Sequence, residues 1–178
     1  MKNIAIFPGS FDPFTEAHEY VVRQASKLYD KVIILVSSNP RKNYMFTPQE
    51  RVTMIEHLIE YQSWAHNGVD VDMWDGLVTD FVANFLNLYD NVHIIRGLRA
   101  DNGAEEFNLA LTYYEDFGIS YCDSYLQTIM IPVLDKYVIN ISSSRVREYI
   151  RRGKMNYVQH YCPAPIYHYI KEHQENLK

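Results

Sequence analysis

An α/β domain built on one doubly wound, five-stranded parallel sheet is the fold this sequence predicts, and three observations predict it. Short strand-like runs recur along the chain, mostly apolar at Ile4-Ala5-Ile6-Phe7, Val32-Ile33-Ile34-Leu35-Val36, Val92-His93-Ile94-Ile95 and Gln127-Thr128-Ile129-Met130-Ile131, and alternating at Val69 to Met73. Segments of helical spacing separate them, an alternation that requires crossover connections and hence parallel strands. The polar clusters fall after strand ends or at helix starts, where open α/β sheets bind their ligands. The fold is Rossmann-like, with residues 1–178 expected to form a single domain closed by a C-terminal helical extension.

Length and composition bound the function. At 178 residues the chain can bury one substantial core but not two ordinary ones. A net charge of -5 gives no broad basic footprint for nucleic acid, while leaving room for a local basic pocket that binds polyphosphate. Cys122 and Cys162 stand forty residues apart, outside any metal-ligand spacing, so neither a disulfide nor a structural metal is expected. His160, His168 and His173 lack matching ligands and read as surface or partly buried aromatics. No apolar run approaches membrane-spanning length, and Met1-Lys2-Asn3 leads straight into the first strand. A cytoplasmic protein with a small partner and no membrane is expected.

The first apolar run breaks on Pro8-Gly9, carries Ser10, Phe11 and Asp12 through a bend, and reaches Thr15-Glu16-Ala17-His18 at the start of a helix. A helix entered from such a loop aims unpaired N–H groups and partial positive charge at whatever lies above the strand end, and phosphate suits that position. Thr15 and His18, three apart, share a helix face. Thr15 could equally be a plain helix cap, with His18 on the surface. Glu16 and Glu19 flank His18 and could hold it charged.

Tyr20, Val21, Ala25 and Leu28 continue the helix to the second strand, whose polar exit runs from Ser37 through Lys42 to Phe46. Thr47, Pro48 and Glu50 form a capping box, with the helix expected to reach about Tyr61. A loop over Ser63 to Asn67 precedes the third strand, and Gly76 begins a helix whose Leu77, Phe81, Phe85 and Leu88 make an apolar stripe suited to the core. The fourth strand ends in Arg96-Gly97-Leu98-Arg99-Ala100, two forked donors around a glycine, fit either for a phosphate or for structural salt bridges. A helix is expected from about Ala104 to Glu115, then a helix end and loop through Tyr125. Ile139-Asn140-Ile141-Ser142-Ser143-Ser144-Arg145-Val146-Arg147 reads as a well-capped helix start with several hydroxyls. Arg147, Arg151, Arg152 and Lys154 fit a solvated helix face. From Pro163 onward Ile166, Tyr169 and Ile170 suggest a closing helix on the sheet.

Three of these stretches carry a resemblance. Pro8-Gly9-Ser10-Phe11-Asp12-Pro13 through His18, the run Arg96 to Ala100, and Ile141-Ser142-Ser143-Ser144 followed by Arg147 resemble, in order and spacing, the motifs of nucleotidyltransferases with an H/T-x-G-H signature, especially phosphopantetheine adenylyltransferases. Two positions depart from that pattern: Ala17 where it has glycine, and Asn108 where it has an acid that contacts ATP. The resemblance implies transfer of AMP from ATP to 4'-phosphopantetheine, with Mg²⁺ bridging phosphates, and dephospho-coenzyme A and pyrophosphate as products.

It also implies roles. His18 and Lys42 would be catalytic. Ser10, Phe11, His18, Gly97, Leu98, Arg99, Asn108, Val138, Ile139, Asn140, Ile141, Ser142, Ser143 and Ser144 would contact ATP, while Ser10, Lys42, Val78 and Arg96 would contact the acceptor. A homohexamer and coenzyme A as a feedback ligand follow from the same resemblance. Two rivals remain: a sister enzyme using another acceptor such as nicotinamide mononucleotide, and a catalytically silent binder of nucleotide or coenzyme A. No G-x-G-x-x-G or G-x-x-x-x-G-K-[ST] occurs, so neither a dehydrogenase nor a P-loop kinase is indicated.

Overall fold

In the computed structural model, which describes residues 1–39, 42–66, 68–121, 126–134 and 140–177, five strands form one parallel sheet. They are β1 (Asn3–Gly9), β2 (Lys31–Ser37), β3 (Val69–Trp74), β4 (Asn91–Leu98) and β5 (Gln127–Pro132), in the order β3-β2-β1-β4-β5. The order reverses between β1 and β4, and the carboxyl ends of those two strands therefore flank the crevice where such sheets take ligands.

Alternating side chains explain why both faces are covered. Ile4, Ile6, Ile33 and Leu35 pack on one face against Phe81, Val82, Tyr113 and Phe117, which lie on α3 (Val78–Ala83) and α4 (Gly103–Ser120). Their neighbours Ala5, Phe7, Val32, Ile34 and Val36 point the other way. There they meet Val21 and Val22 of α1 (Glu16–Ala25) and Met54, Ile55 and Leu58 of α2 (Pro48–Tyr61). Register places Ala5 beside Val32 and Ile4 beside Val92, so the apolar layers line up across the central strands.

The capping box forms as its spacing predicts. The Thr47 N–H donates to Glu50 Oε2 over 2.8 Å, and the Glu50 N–H returns a bond to Thr47 Oγ1 over 3.2 Å. The C-terminal extension consists of α5 (Ser143–Arg151), α6 (Met155–Tyr161) and α7 (Ala164–Glu172). Ile166 and Ile170 of α7 are fully buried, and the helix lies chiefly against α2 rather than on the sheet itself.

Two helices differ from the sequence expectation. The stripe from Leu77 to Leu88 supports only the short α3: Phe81 is buried, but Leu77, at the N-cap, is 53% exposed, and Leu88, after the helix ends at Ala83, is 66% exposed. Conversely α4 runs on to Ser120, since Tyr113 and Phe117, one turn apart, both reach the core and carry the helix through residues expected to be its end and a loop. The remainder of that loop, 122–125 with Cys122 and Tyr125, falls outside the described residues, as does Asn67. A single turn of 3-10 helix, Ser63–Ala65, occupies part of the loop before β3.

Candidate active site

Above the carboxyl ends of β1 and β4 lies a cleft of about 430 Å³, within the range of small-ligand sites. Its floor is the bend after β1. Phe11 adopts a φ of +48°, a left-handed backbone uncommon outside glycine, and is held there by its buried ring, which packs against Phe7, Phe14 and His18 at centroid distances of 5.2, 5.4 and 5.1 Å. Gly9 makes this possible: a Cβ there would stand 2.7 Å from the Phe11 ring. The close approach permitted by Gly9 is thus that of an aromatic ring.

His18 occupies the third position of α1 and its side chain turns back to cap the helix. Nδ1 accepts from the Thr15 N–H over 3.0 Å, so in the neutral ring the proton resides on Nε2. Burial lowers its pKa to about 3, with the Arg99 and Arg96 charges adding to the effect. The expectation that Glu16 and Glu19 could hold His18 charged is overturned, because burial and the arginines govern its ionisation and the two carboxylates do not figure in it. Burial raises the Glu16 carboxyl, and burial together with Glu16 raises Glu19 to about 7.

Around His18 the cleft gathers Ser10, Lys42, Arg96, Gly97, Arg99, Ser142, Ser143, Ser144 and Arg147 from four separate segments. Four cations line it, Lys42, Arg96, Arg99 and Arg147, against two carboxylates, Asp12 and Glu106. Both carboxylates are already committed. Asp12 accepts from the Met45 and Phe46 N–H groups over 3.0 and 2.9 Å and pairs with Arg147 at 3.5 Å. Glu106 holds Arg96 through Nε at 2.7 Å and Nη2 at 3.2 Å, and Arg96 also donates to the Pro8 carbonyl. Burial opposes the Arg96 charge, but Glu106, with Tyr113 and Glu105, outweighs it and raises the pKa. Lys42, and Arg99, paired among the described residues with the exposed Asp101 alone, leave the cleft a net attraction for anions.

The hydroxyl triplet is ordered by its helix. Ser142 caps α5 by accepting from the Arg145 N–H over 3.4 Å, Ser143 donates to the Pro13 carbonyl over 2.9 Å, and Ser144 accepts from Arg147 Nη2 over 3.1 Å. Arg147 Nη1 reaches the Asp12 carbonyl at 2.6 Å, tying the start of α5 to the bend after β1. Gly97 brings β4 close to α1; a Cβ there would meet Val21 Cγ2 at 2.9 Å.

Some expected contacts do not reach the cleft. Phe11 lines it, but Leu98 lies outside the lining at the end of β4, its carbonyl accepting from the Val133 N–H over 2.8 Å. Asn108 is exposed on α4, and its carbonyl accepts from the Thr112 hydroxyl. Val78 packs beside the core cluster on the other sheet face. Asn140 is exposed with its carbonyl on Arg145, and Ile141 is buried, both outside the lining. Val138 and Ile139 fall outside the described residues.

The structure adds residues that sequence reasoning missed. Glu106, two positions before Asn108, is the acid that α4 brings to the cleft, and the adjacent pair Glu105-Glu106 in the first turn was its available signal. Asn102 accepts from the Arg99 N–H over 2.7 Å and donates to the Gly97 carbonyl and Glu106, fixing the turn after β4. Tyr44 and Asn43 line the rim beside Lys42.

Comparison with known proteins agrees with this geometry. The cytidylyltransferase-like family model matches residues 6–149. The phosphopantetheine adenylyltransferase of Leptospira biflexa is 32% identical over 161 residues, covering 86% of this chain and 88% of that protein. That of Leuconostoc mesenteroides is 34% identical over 171 residues, covering 96% and 95%. Among solved structures, Plasmodium falciparum nicotinic acid mononucleotide adenylyltransferase complexed with NaAD superposes with a TM-score of 0.70 at 20% identity, covering 100% of this chain and 99% of that one, which is a likeness of fold. With the family model spanning most of the chain and relatives of this identity covering it nearly end to end, the chain belongs to the phosphopantetheine adenylyltransferase family of cytidylyltransferase-like proteins.

Proposed function

We propose that this protein transfers the adenylyl group of ATP to the phosphate of 4'-phosphopantetheine, releasing pyrophosphate and forming dephospho-coenzyme A. The observation that carries the reading is the cleft itself, in which a neutral, Nε2-protonated His18 stands among Ser10, Lys42, Arg96, Arg99 and Ser142 to Ser144. An oxygen of the acceptor phosphate, already an anion, attacks the α-phosphorus. The bond from that phosphorus to the β-phosphate bridging oxygen breaks, and pyrophosphate leaves with the electron pair. No protein nucleophile is required, and catalysis rests on placement and on charge stabilisation.

His18 Nε2–H donates to the α-phosphoryl oxygen as charge builds there. Lys42, Ser10 and Arg96 hold the acceptor phosphate, while Arg99 and the serines at the start of α5 hold the triphosphate. Among the described residues no cluster of three or more metal-ligating side chains gathers, and both cleft carboxylates are engaged. Mg²⁺ would be carried by the MgATP substrate and would supply charge neutralisation of the reacting phosphates.

No helix among the described residues is long and apolar enough to cross a membrane. Phe107, Leu111 and Tyr114, exposed at one-turn intervals on α4, supply an apolar stripe suited to assembly of the homohexamer. Coenzyme A, which contains the product, is the expected feedback ligand at the same cleft.

The test is pyrophosphate release from MgATP with 4'-phosphopantetheine, beside nicotinamide mononucleotide and no acceptor. Release with 4'-phosphopantetheine alone is expected. Release with the mononucleotide alone would replace the acceptor, and no release from folded protein that still binds ATP would make the chain a silent binder.

A further inference from the structure

Arg51, on α2, is 0% exposed, although it carries a full charge. No carboxylate pairs with it within 4.0 Å among the described residues. Its guanidinium spends its donors on neutral oxygens instead. Nη1 donates to the Ser10 carbonyl over 2.6 Å and lies 3.5 Å from the Ser37 carbonyl, Nη2 reaches Ser38 Oγ at 3.4 Å, and Nε reaches the Thr47 carbonyl at 3.3 Å. The Tyr44 ring covers it, with the ring centroid 4.3 Å from Cζ. These partners lie on the bend after β1, the exit of β2, the loop that carries Lys42, and the cap of α2.

Burying a guanidinium carries a desolvation penalty before its hydrogen bonds are counted, and an aliphatic side chain would fill a core without it. What an aliphatic group cannot do is fix four backbone segments at set distances. Tyr44 extends the grip: its hydroxyl accepts from the Asn39 N–H over 2.5 Å and lies 3.5 Å from Ser10 Oγ, while the Lys42 N–H donates to the Asn39 carbonyl over 2.9 Å. We infer that Arg51 is a positioning residue for the acceptor side of the cleft, its guanidinium setting the separation of Ser10 from Lys42 by binding the Ser10 carbonyl and supporting Tyr44. The inference rests on the acceptor role proposed above for Ser10 and Lys42. Lysine cannot substitute, because its three donors radiate from one atom and cannot span this fork.

The experiment compares wild type, Arg51→Lys, Tyr44→Leu and the double variant by KM for 4'-phosphopantetheine, KM for ATP, and kcat, with melting temperature recorded in parallel. Arg51→Lys is expected to raise the acceptor KM roughly tenfold or more while the ATP KM stays within about twofold. Tyr44→Leu should raise the acceptor KM in the same direction, and the double variant should be no worse than Arg51→Lys alone, because both act through one contact. A lower melting temperature with an unchanged acceptor KM would make Arg51 a core staple and overturn the inference. Should Arg51→Lys not fold, Tyr44→Leu decides, since Tyr44 is only half-buried and its loss leaves the core intact; an unchanged acceptor KM there would equally overturn it. If wild type releases no pyrophosphate, the proposed reaction fails by itself, and calorimetric binding of 4'-phosphopantetheine to the same variants then reads the placement directly.

Discussion

The Thr15 backbone N–H donates to His18 Nδ1 over 3.0 Å, so the residue that caps α1 also dictates which nitrogen of the histidine faces the cleft with a proton. The cap occupies the acceptor nitrogen, and burial beside Arg99 and Arg96 keeps the ring neutral down to about pH 3. A neutral imidazole is a hydrogen-bond donor of fixed direction, suited to an oxygen on which charge develops.

Replacement of His18 by alanine is accordingly expected to lower kcat by roughly 10²- to 10³-fold, with ATP affinity within about twofold of wild type. Single-turnover rates and an ATP titration measure the two separately. The pH profile adds a check of sign: with a pKa of about 3, His18 protonates only in strong acid, so kcat/KM shows no inflection near 6.5 that disappears in His18→Gln. Such an inflection would mean that His18 titrates near 6.5 and overturn its neutral state, whereas an unchanged kcat in His18→Ala removes His18 from the reaction.

Lys42 stands at the rim of the cleft with its backbone N–H held by Asn39 and its ammonium exposed. Its contribution on the proposed mechanism is a point charge for the acceptor phosphate. Lys42→Ala should therefore raise the KM for 4'-phosphopantetheine by roughly 10- to 100-fold, matching about 1.5–3 kcal/mol for a charged hydrogen bond, and leave the ATP KM nearly unchanged. Equal damage to both substrates would place Lys42 on the nucleotide instead.

How much of this was legible in the sequence depended on the range of the physics involved. The strands and the Thr47-Glu50 box were readable because their signals are local: alternating burial on a sheet covered on both faces, and reciprocal bonds three residues apart. The motif residues Ser10, His18, Lys42, Arg96, Arg99 and Ser142 to Ser144 converge on one cleft because each sits at a strand exit or helix start, which spacing alone locates. Asp12, Arg51 and Glu106 were not legible as site residues. The partners of Asp12 are 33 to 135 residues away, Arg51 gathers Ser10 from 41 residues away together with Ser37, Ser38 and Thr47, and for Glu106 it is a turn of α4 that fixes which of two adjacent acids points inward. The same limit hid the exposure of Asn108 and the early end of α3, since helical spacing does not say which stripe the fold will cover.

Ala17 takes the place of the family glycine, and the structure puts it in the cleft lining, 4% exposed, directly before His18. On the proposed reaction its methyl borders the space open to a phosphate at the start of α1. Ala17→Gly is expected to raise kcat/KM for ATP several-fold while costing roughly 0.5–1 kcal/mol of helix stability, a fall of about 1–4 °C in Tm. Steady-state kinetics and a thermal melt measure the pair. A lower Tm with no kinetic gain would show that the cleft already accommodates the methyl.

Glu19 and His18, on neighbouring positions of α1, tilt stability with pH in opposite directions. Glu19 is 8% exposed; burial and Glu16 raise its pKa from 4.5 to about 7, against the opposing pull of Trp64 and Arg23. Between those values the unfolded chain has lost a proton that the folded one keeps, so this group costs stability as pH rises from about 4.5 through 7. His18, lowered from 6.5 to about 3, costs stability as pH falls through that window. Glu19→Gln preserves the shape of the protonated carboxyl and removes only the first of these slopes. The variant should match wild type at pH 5 and exceed it at pH 8, by on the order of 1 kcal/mol or a few degrees in Tm. Thermal melts at the two pH values decide it: an equal Tm for the two proteins at pH 8 would mean that Glu19 ionises in the folded state without penalty.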